Sequence, residues 1–245
     1  MDHTRYLDLI RADGDLLLAA AERGLDARVP SCPGWTGRDL LHHVGGVYDH
    51  KVLCMRLGRD PQKAERAPLP GDAALRDWFL SQRETLLDQL VMRGPGAPSH
   101  TWFPPDQTVG FWYRRMAHET VVHRIDAELI DGGPTPVDPE PAADGVDELL
   151  GFITHDFGGR PEREQGVGRT VVLGCGDREW ALTLRADRAV WAKEGATPDA
   201  RIDGEPEDLL LHLWNRRGAG GNSLRSSGDV DALAGLWARL QEETQ

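Results

Sequence analysis

HETVVHRID, residues 118–126, reads as the middle of an amphipathic helix that carries ionisable groups on its apolar side. At about 100° per residue, Glu119 and His123 lie roughly 40° apart, one turn above each other, whereas His118 and His123 are separated by about 140°. Glu119 and His123 can therefore share one ligand, and the two histidines cannot. Trp112, Met116, Val122, Ile125 and Leu129 place the inward stripe over Glu119, His123 and Asp126. A carboxylate and an imidazole are thus directed at the core, where an unpaired charge is costly and is neutralised, paired or bound to a metal. The five-residue separation of the histidines excludes the HExxH helix of metalloproteases, which needs them at i and i+4.

The chain has 245 residues, 40% of them hydrophobic and 28% charged, enough for one large or two modest domains with real cores and too apolar for disorder. No run approaches the length of a membrane span, and MDHTRYLDLI lacks the basic start and apolar middle of a signal peptide. A cytoplasmic protein is expected, as a monomer or homodimer. The net charge of -12 disfavours the phosphate backbone, so nucleic acid is not an expected partner. Cys32, Cys54 and Cys175 are odd in number and never form CxxC, which suggests neither a disulfide framework nor a cysteine zinc site.

Working outward, residues 4–24 carry a helical stripe that stops at Gly24 as a C′ residue. VPSCPGW, 29–35, is a turn. Thr36 and Asp39 form a capping box that opens a second helix running to about Gly58, with Leu40, Val44, Val47 and Leu53 inward. His43 falls on that inward stripe as a buried residue, while His42 sides with the polar face. A third helix spans about 72–93, the 94–107 segment is a long loop, and the helix bearing Glu119 and His123 is the fourth. Four such helices make a bundle. Residues 131–145 have linker composition, giving a bundle domain over 1–157 and an α+β domain over 158–245, with Val146–Phe157 as a possible extra helix on the bundle. In the second domain TVVLGC and EWALTLRA flank a hairpin turn, RAVWAKE and DARIDG are short strands, and DLLLHLWNRR and DVDALAGLWARLQ are helices.

A lone histidine on an apolar face is commonly a hydrogen-bonded core residue. If the bundle runs up and down, helices two and four sit side by side or diagonally, and facing core positions are where bundle metal sites are built. His43, Glu119 and His123 then supply a His₂Glu set, the ligand count of a catalytic zinc with one open position. The same donors accept nickel, iron or manganese. Asp126 either fixes the tautomer of a liganding histidine or pairs with an arginine such as Arg124. His118 and Arg115 read as solvated polar residues.

VPSCPGWTGRDLLHHVGG, the HETVVHRID helix and DLLLHLWNRRG together resemble the mycothiol-dependent maleylpyruvate isomerase family, among the DinB-like metal-binding bundles. The pairing of PGWT…LxxH with HExxxH is the diagnostic part. The resemblance implies a four-helix bundle followed by a small α+β domain, metal ligands at His43, Glu119 and His123, zinc as the ion, and mycothiol as the thiol cosubstrate. It also implies a functional arginine after a Trp-Gly pair. That arginine falls on Arg216, although Asn215 stands where the glycine would be, and Arg217 is its possible substitute. An acid-paired structural role for Arg216 competes with anion binding. The implied activity is attack of a low-molecular-weight thiolate on a small electrophile, as an S-transferase or a cis/trans isomerase. The alternatives are a metal-dependent hydrolase, a non-catalytic metal-binding sensor or regulator, and a metal-free scaffold.

Overall fold

Polar side chains start the first two helices by taking up N–H groups that have no partner inside the helix. In the computed structural model, which describes residues 1–216 and 223–243, Asp2 caps α1 (His3–Glu22) by accepting from Arg5 N at 2.8 Å. Thr36 and Asp39 form the expected capping box at the start of α2 (Gly37–Leu57), which ends at Gly58 in the left-handed conformation with φ 67°. Gly24 is absent from the positive-φ glycines, and Arg23, still right-handed, closes α1. A short 3-10 turn (Lys63–Glu65) precedes α3 (Asp72–Arg93), and α4 covers Val109–Glu128.

The helix directions follow from who meets whom. Asp13 meets Arg124, Tyr6 meets His118 and His3 meets Tyr113, so α1 and α4 run parallel. Arg38 meets Asp72, Tyr48 meets Phe79 and Arg56 meets Gln89, so α2 and α3 run parallel as well. His43 meets Glu119 while Lys51 meets Trp112, which makes α2 and α4 antiparallel. The bundle is therefore up-down-down-up, not up-and-down, and residues 58–71 form a crossover retracing its length. Gly45 permits the close α2–α3 approach, because the Trp78 ring occupies the space of any larger side chain.

Helix α4 is not amphipathic. Seventeen of its residues are buried, among them Arg115, His118, Thr120, Arg124, Asp126 and Glu128. Such a helix is stable inside a bundle only if its polar groups find partners. Arg124 donates to Asp13 at 2.9 Å and to Glu128 at 2.8 Å, and Glu128 in turn accepts from Thr135 N and Oγ1 at 2.8 Å each. The stripe of α2 also differs from expectation: Leu40, Leu41, Val44, Tyr48, Val52 and Met55 are buried, whereas Val47 and Leu53 are partly exposed.

The chain divides into compact units at Met1–Thr135 and Pro136–Gln245, inside the 131–145 stretch read as linker and ahead of the extra helix assigned to the bundle up to 157. The residues read as linker contain the start of α5 (Pro139–Thr154), which packs against α6 (Pro206–Leu213) rather than extending the bundle. Proline and acids suit a helix N-terminus as well as they suit a linker. The second unit holds β1 (Thr170–Cys175), β2 (Arg178–Leu184), β3 (Ala189–Trp191), β4 (Ala200–Asp203) and β5 (Arg225–Gly228) in the order β3-β2-β1-β4-β5. The expected hairpin joins β1 to β2 antiparallel, β1 pairs with β4 in parallel, and the unexpected β5 is an exposed edge strand antiparallel to β4. Buried on both faces, β1 is the centre of this core, and α7 (Val230–Glu243) packs on β1, β2 and β4. Among the described residues no helix is long and apolar enough to cross a membrane.

Candidate metal centre

Glu119 stands between two imidazoles from different helices. His43 Nε2 of α2 and His123 Nε2 of α4 each lie 3.3 Å from the same carboxylate oxygen, Oε1. For a charge-assisted hydrogen bond, which runs about 2.7–2.9 Å, that is long. It matches the edge of a tetrahedron around zinc, about 3.3–3.4 Å for ligand atoms about 2.0–2.1 Å from the ion. One donor atom from each of His43, Glu119 and His123 falls within 4.8 Å of the others. These donors fit a divalent metal of the borderline class.

The surrounding groups fix the three donors. Arg115 Nη2 donates to the other Glu119 oxygen, Oε2, at 2.9 Å. His123 Nδ1 donates to Asp126 Oδ2 at 2.8 Å, which leaves Nε2 as the lone-pair nitrogen aimed at the cluster. Asp126, fully buried, also accepts from Ser31 Oγ at 2.5 Å and from Cys32 Sγ at 3.4 Å. Trp35 walls the pair of rings, 4.7 Å from His43 and stacked at 6.4 Å on His123. Ser31, Cys32 and Trp35 all come from the segment read only as a turn, whose backbone folds on itself through Val29 N to Trp35 O and Trp35 N to Cys32 O, both 3.0 Å.

Burial opposes charge on Glu119, yet His123, the hydrogen bonds from both histidines and Arg115 together hold its carboxyl well below the usual carboxylate range. Burial likewise opposes charge on His123, but Glu119 and the hydrogen bonds to Asp126 and Cys32 hold the imidazole well above the usual histidine range.

His43 is not buried as expected: 36% of its side chain is exposed, against 17% for Glu119 and 11% for His123. It is the ring nearest solvent, so the cluster is open on one side. His42 points elsewhere, with Nε2 3.1 Å from Pro70 O. His118, expected to be solvated, is buried edge-on to Tyr6 of α1, away from the cluster. Arg115 is likewise buried, and it serves Glu119 directly. Arg124 leaves Asp126 to His123 and pairs with Asp13 and Glu128.

In the second unit Asn215 takes φ 60°, the left-handed conformation that glycine favours and asparagine tolerates best among the rest. Arg216 N bonds to Leu211 O at 2.7 Å and Asn215 N to His212 O at 3.1 Å, closing α6 as a Schellman motif. Replacing the glycine therefore leaves the backbone turn intact. The Arg216 side chain is buried and donates through Nη1 to Trp214 O at 2.6 Å. Arg217 lies outside the described residues.

The family model described as the mycothiol maleylpyruvate isomerase N-terminal domain matches residues 7–128, and the one described as the MDMPI C-terminal domain matches 140–235. A comparison with curated proteins finds no match. Among solved structures, the crystal structure of a mycothiol-dependent maleylpyruvate isomerase superposes with a TM-score of 0.59 at 14% identity, covering 94% of this chain and 95% of that one. A histidine-to-alanine mutant of mycothiol-dependent maleylpyruvate isomerase gives a TM-score of 0.56 at 15% identity over the same shares. At such identities the superpositions speak for the fold, whereas the two domain matches account for nearly all of the sequence. The chain belongs to the mycothiol-dependent maleylpyruvate isomerase family.

Proposed function

We propose that this protein is a metal-dependent enzyme that uses mycothiol, or a closely related low-molecular-weight thiol, against a small electrophile, as a cis/trans isomerase or an S-transferase. The single observation that carries the reading is the convergence of His43 Nε2 and His123 Nε2 on one Glu119 oxygen, 3.3 Å from each, at an accessible place. His43, Glu119 and His123 would hold zinc, the ion best matched to a His₂Glu set with an open position. Bound there, the divalent ion supplies the Lewis acidity that keeps a thiol deprotonated near neutral pH.

The chain's own residues do the rest. Asp126 keeps the His123 proton on Nδ1, Arg115 keeps Glu119 turned so that Oε1 faces the imidazoles, and Trp35 limits water around both rings. None of the three cysteines is placed as the nucleophile: Cys54 and Cys175 are buried, with their thiols pushed up by burial, and Cys32 donates to Asp126. The attacking sulfur therefore belongs to a cosubstrate. Arg216 is assigned to binding an anionic group during turnover, a role suited to a planar, permanently charged guanidinium.

The test is a screen of the zinc-loaded protein against unsaturated electrophiles, including maleylpyruvate, with and without mycothiol. Thiol-dependent isomerisation or conjugation is expected, and Arg216→Ala is expected to lower turnover with full metal content. Turnover independent of any thiol would replace the reading with a hydrolase, and no turnover with full zinc occupancy would favour a sensor.

A further inference from the structure

The segment between α1 and α2 is built to hand two side chains to α4. Its backbone closes on itself: Val29 N donates to Trp35 O and Trp35 N to Cys32 O at 3.0 Å each, Cys32 N donates to Val29 O at 3.2 Å, and Arg28 Nη1 reaches Gly34 O at 2.6 Å. Gly34, at φ 89°, makes the left-handed reversal that a residue with a Cβ adopts only at a cost. Thr36 then forms an antiparallel bridge with Arg28 and caps α2, about two turns ahead of His43. From this frame Ser31 and Cys32 extend to the same acceptor, Asp126.

Asp126 is wholly buried, and its two oxygens are used differently. Oδ2 accepts from His123 Nδ1 at 2.8 Å and from Cys32 Sγ at 3.4 Å, whereas Oδ1 accepts from Ser31 Oγ at 2.5 Å. The torsion that turns an aspartate carboxylate about its last bond is broad, so the side chain does not fix its own plane. A donor on Oδ1 does. With Ser31 in place, Oδ2 stays turned towards His123. Without it the carboxylate is free to rotate, and Oδ1 is a buried acceptor that has lost its hydroxyl. Cys32 is the weaker aid, since a thiol is a poor donor and this one shares Oδ2 with the imidazole. Asp126 in turn holds the Nδ1 proton of His123 and the angle of a ring whose Nε2 faces Glu119.

Resting on the reading that His43, Glu119 and His123 hold zinc, we propose that Ser31 is a positioning residue of the metal centre. Its hydroxyl locks the plane of the Asp126 carboxylate and, through it, the tautomer and tilt of His123. The loop ahead of α2 thereby governs ligands on both helices. Its end caps the helix that carries His43, and its middle orients the histidine on α4.

Zinc affinity is measured on the full chain by competition with a chelator, after circular dichroism has verified that each variant is folded. Ser31→Ala is expected to weaken zinc about tenfold, the lower end of what losing a support behind a metal ligand costs. Cys32→Ala should cost less, about threefold. In an Asp126→Ala background, where there is no carboxylate to orient, adding Ser31→Ala should change affinity by less than about twofold, because residues acting through one another are not additive. Unchanged affinity in Ser31→Ala overturns the proposal. So does the same loss in the Asp126→Ala background, which would place the effect in loop packing, and so does a larger loss in Cys32→Ala than in Ser31→Ala, which would make the thiol the support. The metal-free protein gives an independent readout by proton NMR: the His123 Nδ1 proton, bonded to Asp126, should be a slowly exchanging downfield resonance in wild type and be lost in Ser31→Ala. A resonance unaltered by that substitution also overturns the proposal. A wild type that takes up no zinc yet shows this dependence on Ser31 sinks the metal reading alone.

Discussion

One helix, α4, carries two buried charge networks a single residue apart, and they are built on opposite principles. Around Arg124 negative charge is in excess: Asp13 and Glu128 share one guanidinium, and burial lifts the Asp13 carboxyl above the usual range in spite of it. Around Glu119 one carboxylate is shared by His123, His43 and Arg115, with Asp126 held behind His123. The first network is sealed, with Arg124 2% exposed, and its short bonds leave no room for another atom. The second is open at a ring one-third exposed, with donor atoms 3.3 Å from the shared carboxylate oxygen. Buried charge alone therefore does not tell the two networks apart; donor spacing and access do.

The comparison can be broken where it is sharpest. Glu119→Ala and His123→Ala are expected to abolish stoichiometric zinc binding, measured by metal analysis after dialysis, while circular dichroism stays helical; zinc retained in both would dissolve the site. Arg124→Ala should do the reverse, keeping one zinc per folded chain while costing about 3–5 kcal/mol in urea unfolding, because two buried carboxylates lose their cation. Asp126→Asn lies between them. It should leave the fold in place and weaken zinc about 10- to 100-fold in a competition titration, as second-layer changes do; an unchanged affinity would make Asp126 a structural residue only.

Acidity separates the metal-free and loaded forms more gently. The folded pKa of His123 is raised, so its contribution to metal-free stability is complete below about pH 6.5 and disappears as pH rises through the raised value. Zinc needs the neutral ring and displaces that proton, so loading strengthens over the same interval. The thermal midpoint difference between zinc-loaded and chelated protein should widen from pH 6 to pH 9, and a difference that narrows would locate the displaced proton elsewhere. Smallest of all, His42→Ala should leave zinc unchanged, since that ring bonds Pro70 O outside the cluster.

The sequence made the site legible through periodicity. The roughly 40° offset of Glu119 and His123 puts both on one face of α4, and the structure sets them beside His43, although Val47, read with His43 as inward, is partly exposed. Caps are equally local, so Thr36, Asp39 and Gly58 bound α2 correctly. What stayed hidden depends on partners far along the chain. The apolar stripe read on α4 marks only one of its buried faces, because Arg115, His118 and Arg124 go inside as well, with partners that only the fold supplies. Ser31 and Cys32 reach Asp126 across more than ninety residues. Strand β5, RSSG, is exposed at every position and has no alternation to betray it, and the start of α5 shares its proline and acid content with a linker.

The parallel course of α2 and α3 limits how this protein can be re-engineered. The strap over 58–71 reaches roughly 46–50 Å at full stretch, and the 21-residue helix it retraces is about 31 Å long. It is also buttoned midway, by Arg66 to Gly46 O at 2.7 Å and by Ala67 N to Asp49 Oδ2 at 3.1 Å. A trimming of this tether by four or five residues would leave it taut, pulling on the same helix that presents His43. Tolerance to shortening here is bounded by span rather than by loop chemistry.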